Sequence, residues 1–360
     1  MTEETRQKNE LEENKIDEIR EKIKIIFLII NWNGREKIER CLASLRKHLA
    51  DLNHKILVVD NYSEDGSCEL IRERFPEVWL LINPKNLGFA RAANRGINYL
   101  KEKEVVFDYL CLLNNDVELR DNSFIRLIKF MDENKEVAAC LPALLDRKDK
   151  PQSGIAGFNL SLRTAWNHFF FLSIFFPLIY KGLYINQNYF YQKRRLVEVD
   201  WLTGAALVIR QSSLVKAGPM PEYFFMYAED LAYSEQLKKA GKLIYYPGAK
   251  VYHLQDEKEK EHYQTKWLDS SFDWFLLKKN GLKKTEKRLE KLSFWSRVNL
   301  LILKLIFLGG LGLRCVGYYL LEIGLKDQRA KIKTKEMAFY ISHLLKTFLK
   351  RNLKSSMQIN

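Results

Sequence analysis

Tyr109-Leu110-Cys111-Leu112-Leu113-Asn114-Asn115-Asp116-Val117 is the stretch on which the reading of the fold turns. It is an apolar run that stops abruptly at two amides and a carboxylate. Such a run between polar boundaries suits a strand buried on both faces, and ligands of open α/β sheets sit just beyond the carboxyl ends of such strands. Asp116 then projects into a crevice with Asn114 and Asn115 beside it. A hard carboxylate at that place is a natural ligand for Mg²⁺ or Mn²⁺, which in turn hold phosphate oxygens. Asn-Asn-Asp is also good turn chemistry, so a strand-end turn without a ligand explains the same residues.

The flanking sequence repeats the pattern. Lys24 to Ile30 is a β-branched apolar run ending at Asn31-Trp32-Asn33-Gly34, and Ile38, Cys41, Leu42 and Leu45 follow at helical spacing. Lys55 to Val59 is a second strand, ending at Asp60-Asn61-Tyr62-Ser63, and Val78 to Ile82 a third. Asn86-Leu87-Gly88 opens a helix through Leu100, and 109–117 is the fourth strand. Strands alternating with helices at this pitch imply an α/β fold with a doubly wound, mostly parallel sheet. The first strand is followed by a single glycine and no phosphate-cradling Lys loop occurs, which argues against dinucleotide and P-loop folds.

Further on, a helix from Asn122 precedes a strand at Val137 to Leu141. Phe169 to Phe176 is very apolar, bounded by Pro177 and Lys193-Arg194-Arg195, and too short to span a bilayer. A buried hairpin and an interfacial dip both suit it. Val199 to Arg210 reads as a loop entering a strand. Glu229-Asp230 starts a helix running to Ala240-Gly241, where the dipole alone explains two acids. Leu243 to Tyr246 and Ala249 to His253 are the last sheet elements. The expected domains are a charged tail or helix over 1–22, a catalytic domain over 23–255 and a basic, amphipathic helical region over 256–360.

The chain has 360 residues, 47% hydrophobic and 29% charged, a globular composition with a formal net charge of +14. Residues 256–360 hold 22 Lys and Arg against 11 Asp and Glu. An anionic surface meets that region, and nucleic acid or anionic lipid qualifies on charge alone. Five cysteines show no metal or redox spacing, so reduced thiols in a cytosolic setting are expected. Met1 to Lys24 lacks the apolar core of a secretory signal. Ser296 to Leu325 is the most apolar window, but Lys304 and Arg314 each cost about 2.5–3.5 kcal/mol to insert. An amphipathic segment in the lipid interface fits it better than a spanning helix. Met337, Ile341, Leu344, Leu345 and Phe348 form a second apolar stripe, and helices packed on one another would account for both.

Five blocks then add up to a family. They are Ile29-Ile30-Asn31-Trp32-Asn33-Gly34, Val58-Val59-Asp60-Asn61-Tyr62-Ser63, Asn86 to Asn94, Leu113-Asn114-Asn115-Asp116-Val117, and Phe225-Met226-Tyr227-Ala228-Glu229-Asp230. In this order, over about Ile23 to Leu254, the chain resembles the family 2 glycosyltransferases and their rhamnosyltransferase-like branch. The resemblance implies a GT-A fold that binds a nucleotide-diphosphate sugar and transfers the sugar with inversion. By the same resemblance Asp60 contacts the nucleotide, with Asn31 and Asn33 lining its pocket and Arg91, Asn94, Asn114 and Asn115 near the donor. Asp116 matches the metal-binding acid and His253 a histidine near metal and diphosphate, implying a divalent cation, Mg²⁺ or Mn²⁺. Asp230 matches the catalytic base, with Glu229 as the competing acid. Trp201 and Thr203-Gly204 resemble an acceptor-side loop.

Three positions depart from the family pattern. Asn114 replaces the first acid of the D-x-D motif, Ala232 stands where many members carry a further acid, and Tyr62 is a less usual choice. The expected protein is thus an enzyme peripheral on the inner face of the cell membrane. Its partners are a nucleotide-diphosphate sugar, a lipid-linked saccharide acceptor in cell-surface polysaccharide assembly and an anionic membrane surface, with no nucleic acid. A polyprenyl-phosphate glycosyltransferase of the same fold is the alternative enzyme. A basic nucleic-acid-binding protein and a non-catalytic module are the alternatives from other classes.

Overall fold

The computed structural model describes residues 23–255 and helical stretches within 302–319 and 334–342. The 1–22 tail, all of 256–301 including Arg297, and Lys304, Arg314, Glu322, Leu344, Leu345 and Phe348 of the C-terminal stripes lie outside the described residues. Two compact units are present: Met1–Ala156 with Gln187–Asp256, and Gly157–Asn186 with Glu257–Asn360.

The first unit is built on a sheet. Its elements begin with β1 (Ile23–Asn31), α1 (Arg35–His48), β2 (His54–Asp60), α2 (Ser67–Arg74), β3 (Trp79–Ile82), α3 (Phe89–Glu102) and β4 (Phe107–Asn114). Ile25 to Ile29 are fully buried, as a central strand covered by helices requires. Each such side chain contributes about 1.5–3 kcal/mol on leaving water. Strands β3, β2, β1 and β4 lie side by side in that order, all parallel. The order reverses at β1, and the crevice of a doubly wound sheet opens at such a reversal.

Next come β5 (Val117–Glu118), α4 (Ser123–Glu133), β6 (Val137–Leu145) and β7 (Ala156–Gly157). The second unit contributes α5 (Leu162–Phe169) and α6 (Leu172–Phe175). The chain returns with α7 (Gln187–Gln192), β8 (Val197–Val199), β9 (Trp201–Leu202), β10 (Ala206–Arg210), α8 (Gln211–Ala217), α9 (Glu229–Leu237) and β11 (Lys242–His253). Beyond β4 the sheet continues through β10, β6, β11 and β5. Here it is mixed: β10 runs antiparallel to β4 and β6, whereas β6 and β11 are parallel.

Two local readings change. The last two expected strands are one, β11, whose register against β6 shifts between Tyr246 and Lys250. Pro247-Gly248-Ala249 is thus a bulge inside a strand and not a break. The 109–117 run is not one strand either. β4 stops at Asn114, Asn115 and Asp116 form a turn, and Val117 restarts as β5 against His253. The turn and the crevice carboxylate are therefore the same feature.

At the opposite ends of these strands, Arg210 donates to the carbonyls of Val137, Met131 and Asn134. Tyr109 Oη and Lys24 Nζ both reach Asp132 Oδ1, at 2.8 Å. These bonds close the sheet at the end away from the crevice.

Candidate active site

β1, β2 and β4 end together, so their terminal side chains meet. Asn31 Nδ2 donates to Asp60 Oδ2 at 2.9 Å, and Asn115 Nδ2 donates to Asn31 Oδ1 at 2.8 Å. Asn31 and Asp60 are fully buried. Ser63 locks the Asp60 carboxylate, its backbone N–H donating to Oδ1 and its hydroxyl to Oδ2, both at 2.7 Å. Asn33 is exposed at φ 45°, and its Oδ1 accepts from the Glu64 N–H. Gly34 permits the arrangement, because a Cβ there would fall 2.3 Å from Asn115 Nδ2.

Asp116 and His253 form the second cluster. Gln152 Nε2 donates to the His253 carbonyl at 2.6 Å, which turns Gln152 Oε1 toward His253 Nδ1 at 2.9 Å. Nδ1 therefore carries the proton, and in the neutral ring the Nε2 lone pair faces Asn114 Nδ2 and Asp116 Oδ1, each at 3.2 Å. Close as it is, that contact leaves Asp116 Oδ1 buried without a hydrogen-bond donor. Burial pushes the Asp116 carboxyl up; when the His253 ring is protonated, its charge and its Nε2–H, with Lys37, outweigh that and hold Asp116 below the usual range.

An imidazole lone pair and an unsatisfied carboxylate oxygen turned toward each other fit a divalent cation. Among the described residues no group of three or more His, Cys, Asp or Glu converges. The pair therefore suits an ion that takes its remaining ligands from phosphate and water. Gln152 escaped the sequence reading because nothing local marks it. Its partner lies 101 residues away.

The third cluster is acidic. Asp230 accepts from the Leu231 N–H at 2.8 Å and from the Thr203 hydroxyl. Tyr227 and Ala228, at φ 71° and 69°, bring the chain into α9 through two successive left-handed residues. Such strain persists where surrounding structure over-determines it. Ala205 O accepts from the Asn114 N–H, which ties the Thr203-Gly204 loop to the end of β4. Trp201 is buried in β9 beside it.

Burial raises both acids: Glu229, which also feels the Asp230 charge, and Asp230, against the pull of its hydrogen bonds to Leu231 and Thr203. Glu229 Oε2 has no hydrogen-bond partner. Because repulsion between the two is mutual, one proton is shared out unequally, with Glu229 keeping it to higher pH. The folded state thus binds a proton on Glu229 more tightly than the unfolded chain. Its stabilising effect is complete below the ordinary carboxylate range and is lost as pH rises through the raised value. Glu229→Gln is expected to raise the melting temperature by about 2–6 °C at pH 8 and not at pH 4, read by thermal melts.

Asn94 is buried and occupied by a neighbouring loop. Its Nδ2 donates to Met220 O and Glu222 Oε1, and its Oδ1 accepts from Met220 N, all at 2.8 Å. Arg91 Nε lies 3.4 Å from Glu222 Oε2. At the start of α3, a Cβ on Gly88 would lie 2.5 Å from Phe225 O, and Phe89 N–H donates to that carbonyl. The block 86–94 is therefore joined to the segment 220–225 that leads to Asp230.

Three clusters of polar and acidic side chains gathered beyond the carboxyl ends of the strands, where the sheet order reverses, suit a nucleotide-sugar transferase. The comparisons with known proteins make this specific. The glycosyl transferase family 2 model matches residues 26–199. The chain is 30% identical over 235 residues to the N-acetylglucosaminyl-diphospho-decaprenol L-rhamnosyltransferase of Mycobacterium tuberculosis H37Rv, covering 62% of this chain and 74% of that one. It is 24% identical over 258 residues to rhamnosyltransferase WbbL of Escherichia coli K12, covering 70% and 90%. Among solved structures, the mannosyltransferase PcManGT of Pyrobaculum calidifontis, in complex with GDP-Man and Mn²⁺, aligns with a TM-score of 0.52 at 12% identity, over 97% of this chain and 95% of that one. This chain belongs to glycosyl transferase family 2, is rhamnosyltransferase-like and has the GT-A fold. It is a glycosyltransferase.

Proposed function

We propose that this glycosyltransferase moves a deoxyhexose, rhamnose, from a nucleotide-diphosphate donor to a hydroxyl of a lipid-linked saccharide, with inversion at the anomeric carbon. The observation that carries the reading is that hydrogen bonds through Asn31, Asn115, Asn114, His253 and the Thr203 loop link Asp60, Asp116 and Asp230 to the carboxyl ends of β1, β2 and β4. The named substrates of the relatives support the acceptor class: one acts on a diphospho-decaprenol-linked sugar and two are rhamnosyltransferases. Assembly of a cell-surface glycan at the cytoplasmic face of the membrane follows from such an acceptor. No helix among the described residues is long and apolar enough to cross a membrane, and a peripheral position suits that.

The division of labour follows from the chemistry. Asp60, held rigid by Ser63 and Asn31, accepts hydrogen bonds from the nucleotide, with Asn33 at the rim. Asp116 and His253 hold a divalent cation, which when bound offsets the charge that develops on the departing diphosphate. Asn114 and Asn115 fix these ligands by their amides. Asp230 takes the proton of the acceptor hydroxyl from the face opposite the diphosphate. Its raised pKa makes it a stronger base than an ordinary carboxylate. Thr203 orients its carboxylate, and Trp201 and Gly204 shape the acceptor side with Glu229. Arg91 and Asn94 act by holding the 220–225 segment at the donor side.

Gln152 sets the tautomer of His253, so removing it frees the ring to rotate and to move its proton to Nε2. Gln152→Ala is expected to weaken Mn²⁺ binding about 10–100-fold, as read by titration calorimetry. Unchanged Mn²⁺ affinity would remove the positioning role from Gln152. The reading as a whole is tested by supplying a panel of nucleotide-diphosphate sugars and a short-chain diphospho-linked N-acetylglucosamine, with and without Mn²⁺. Nucleotide diphosphate should appear only with a matching sugar, acceptor and metal. Release from no member of the panel would overturn it.

A further inference from the structure

The two units differ sharply in charge. Met1–Ala156 with Gln187–Asp256 holds 35 Lys and Arg against 35 Asp and Glu. Gly157–Asn186 with Glu257–Asn360 holds 24 against 10, so the whole net charge of +14 belongs to the second unit. That unit also displays unusual apolar surface. Between Arg163 and Lys181 the chain has no Asp, Glu, Lys or Arg, and within this stretch Phe175, Phe176, Leu178 and Ile179 are 72%, 52%, 52% and 73% exposed. Ser173 and Phe169 are buried beneath, the Phe169 ring 4.2 Å from Phe307. The stretch is thus anchored at its base and apolar at its tip.

The helix carrying Phe307 repeats the theme. Its inner side, Leu303, Phe307 and Leu311, is buried. Its outer positions Ile302, Leu305, Leu313 and Val316, spaced as one helical stripe, are apolar and 38–57% exposed. A helix facing water carries polar residues there. Apolar patches of this kind mark contact sites.

We propose that the second unit rests on an anionic lipid bilayer, with Phe175 and Ile179 at the tip of the 171–180 stretch inserting among the acyl chains and the unit's excess of Lys and Arg drawing it to the headgroups. The idea rests on the lipid-linked acceptor proposed above and names the surface that brings the enzyme to it. Apolar insertion and electrostatic attraction together give stable interfacial binding where either alone is marginal. A second copy of the chain is a poorer occupant, because pairing two units that each carry the excess positive charge would set like charges together. Nucleic acid is poorer still, since no cation is interleaved with the exposed stretch to meet its phosphates.

The test uses the full chain, Phe175→Ser/Ile179→Ser, and vesicles of phosphatidylcholine alone or mixed equally with phosphatidylglycerol. The wild type should co-sediment with the mixed vesicles and far less with the neutral ones. The double variant should bind the mixed vesicles at least about tenfold more weakly while releasing nucleotide at the wild-type rate with a water-soluble acceptor. In a Phe175→Trp variant the tryptophan emission should shift to the blue on adding mixed vesicles. Equal vesicle binding by wild type and double variant would overturn the proposal, as would no binding by either. So would a wild-type dimer that the double variant converts to monomer without vesicles, which would assign the surface to a second copy. Loss of vesicle binding in the wild type with transfer to the soluble acceptor intact sinks this proposal alone. Vesicle binding without transfer on any acceptor sinks the catalytic reading alone.

Discussion

Asp230→Asn is expected to lower kcat for sugar transfer by about 10²–10⁴-fold, the range that a positioned general base supplies. The substitution keeps the side chain's shape. Its amide oxygen still accepts from the Leu231 N–H, so the entry to α9 is undisturbed. What disappears is the ability to take the acceptor's proton. The dissociation constant for the nucleotide diphosphate should stay unchanged, because Asp60 and the Asp116–His253 pair are intact. Calorimetry alongside initial rates separates the two effects. The pH profile supplies a second readout: since burial raises Asp230, the acid limb of wild-type kcat/KM should lie above the ordinary carboxylate range of about 4. Full turnover by the variant would remove Asp230 from the base role.

Asp116→Asn should act through binding. It is the one carboxylate of its motif, since Asn114 occupies the other acidic position. Removing its charge leaves His253 Nε2 as the remaining ligand side chain of the pair. We expect Mn²⁺ and donor affinity to fall about 100-fold or more, with transfer lost at ordinary donor concentrations. Loss of a buried charge beside His253 also alters stability, so a thermal melt must accompany the measurement. A folded variant with unchanged Mn²⁺ affinity, read by the manganese electron paramagnetic resonance signal, would remove Asp116 from the metal site.

Why the sequence revealed some parts and hid others is physical. β1, β2 and β4 were legible because strands buried on both faces must be continuous apolar runs, and polar residues at their ends have little to do except line a crevice. β10 gave no sign of running antiparallel, since direction in a sheet leaves no trace in a five-residue run. β11 was divided because Pro247-Gly248 reads as a break, whereas the pairing with β6 resumes beyond it. The acids of the crevice were legible by type. Their supports were not. Ser63 lies within a motif block and its turn-forming spacing from Asp60 was there to be read. Gln152 and the Asn94–Met220 bonds depend on contacts 101 and 126 residues apart in the chain. The 171–180 stretch was plainly apolar, but only the folded chain separates the buried Phe169 and Ser173 from the exposed Phe175 and Ile179.

The most direct measurement of the central claim is isolation of the product from a nucleotide-diphosphate rhamnose and a diphospho-lipid-linked N-acetylglucosamine. Mass spectrometry reads the transfer, and proton NMR reads the anomeric configuration of the new linkage. The account predicts one added deoxyhexose, joined with the configuration opposite to that of the donor, formed at least about 100-fold more slowly with Asp230→Asn. A retained configuration would contradict the single displacement with Asp230 as base, and an unmodified lipid-linked acceptor would contradict the proposed reaction.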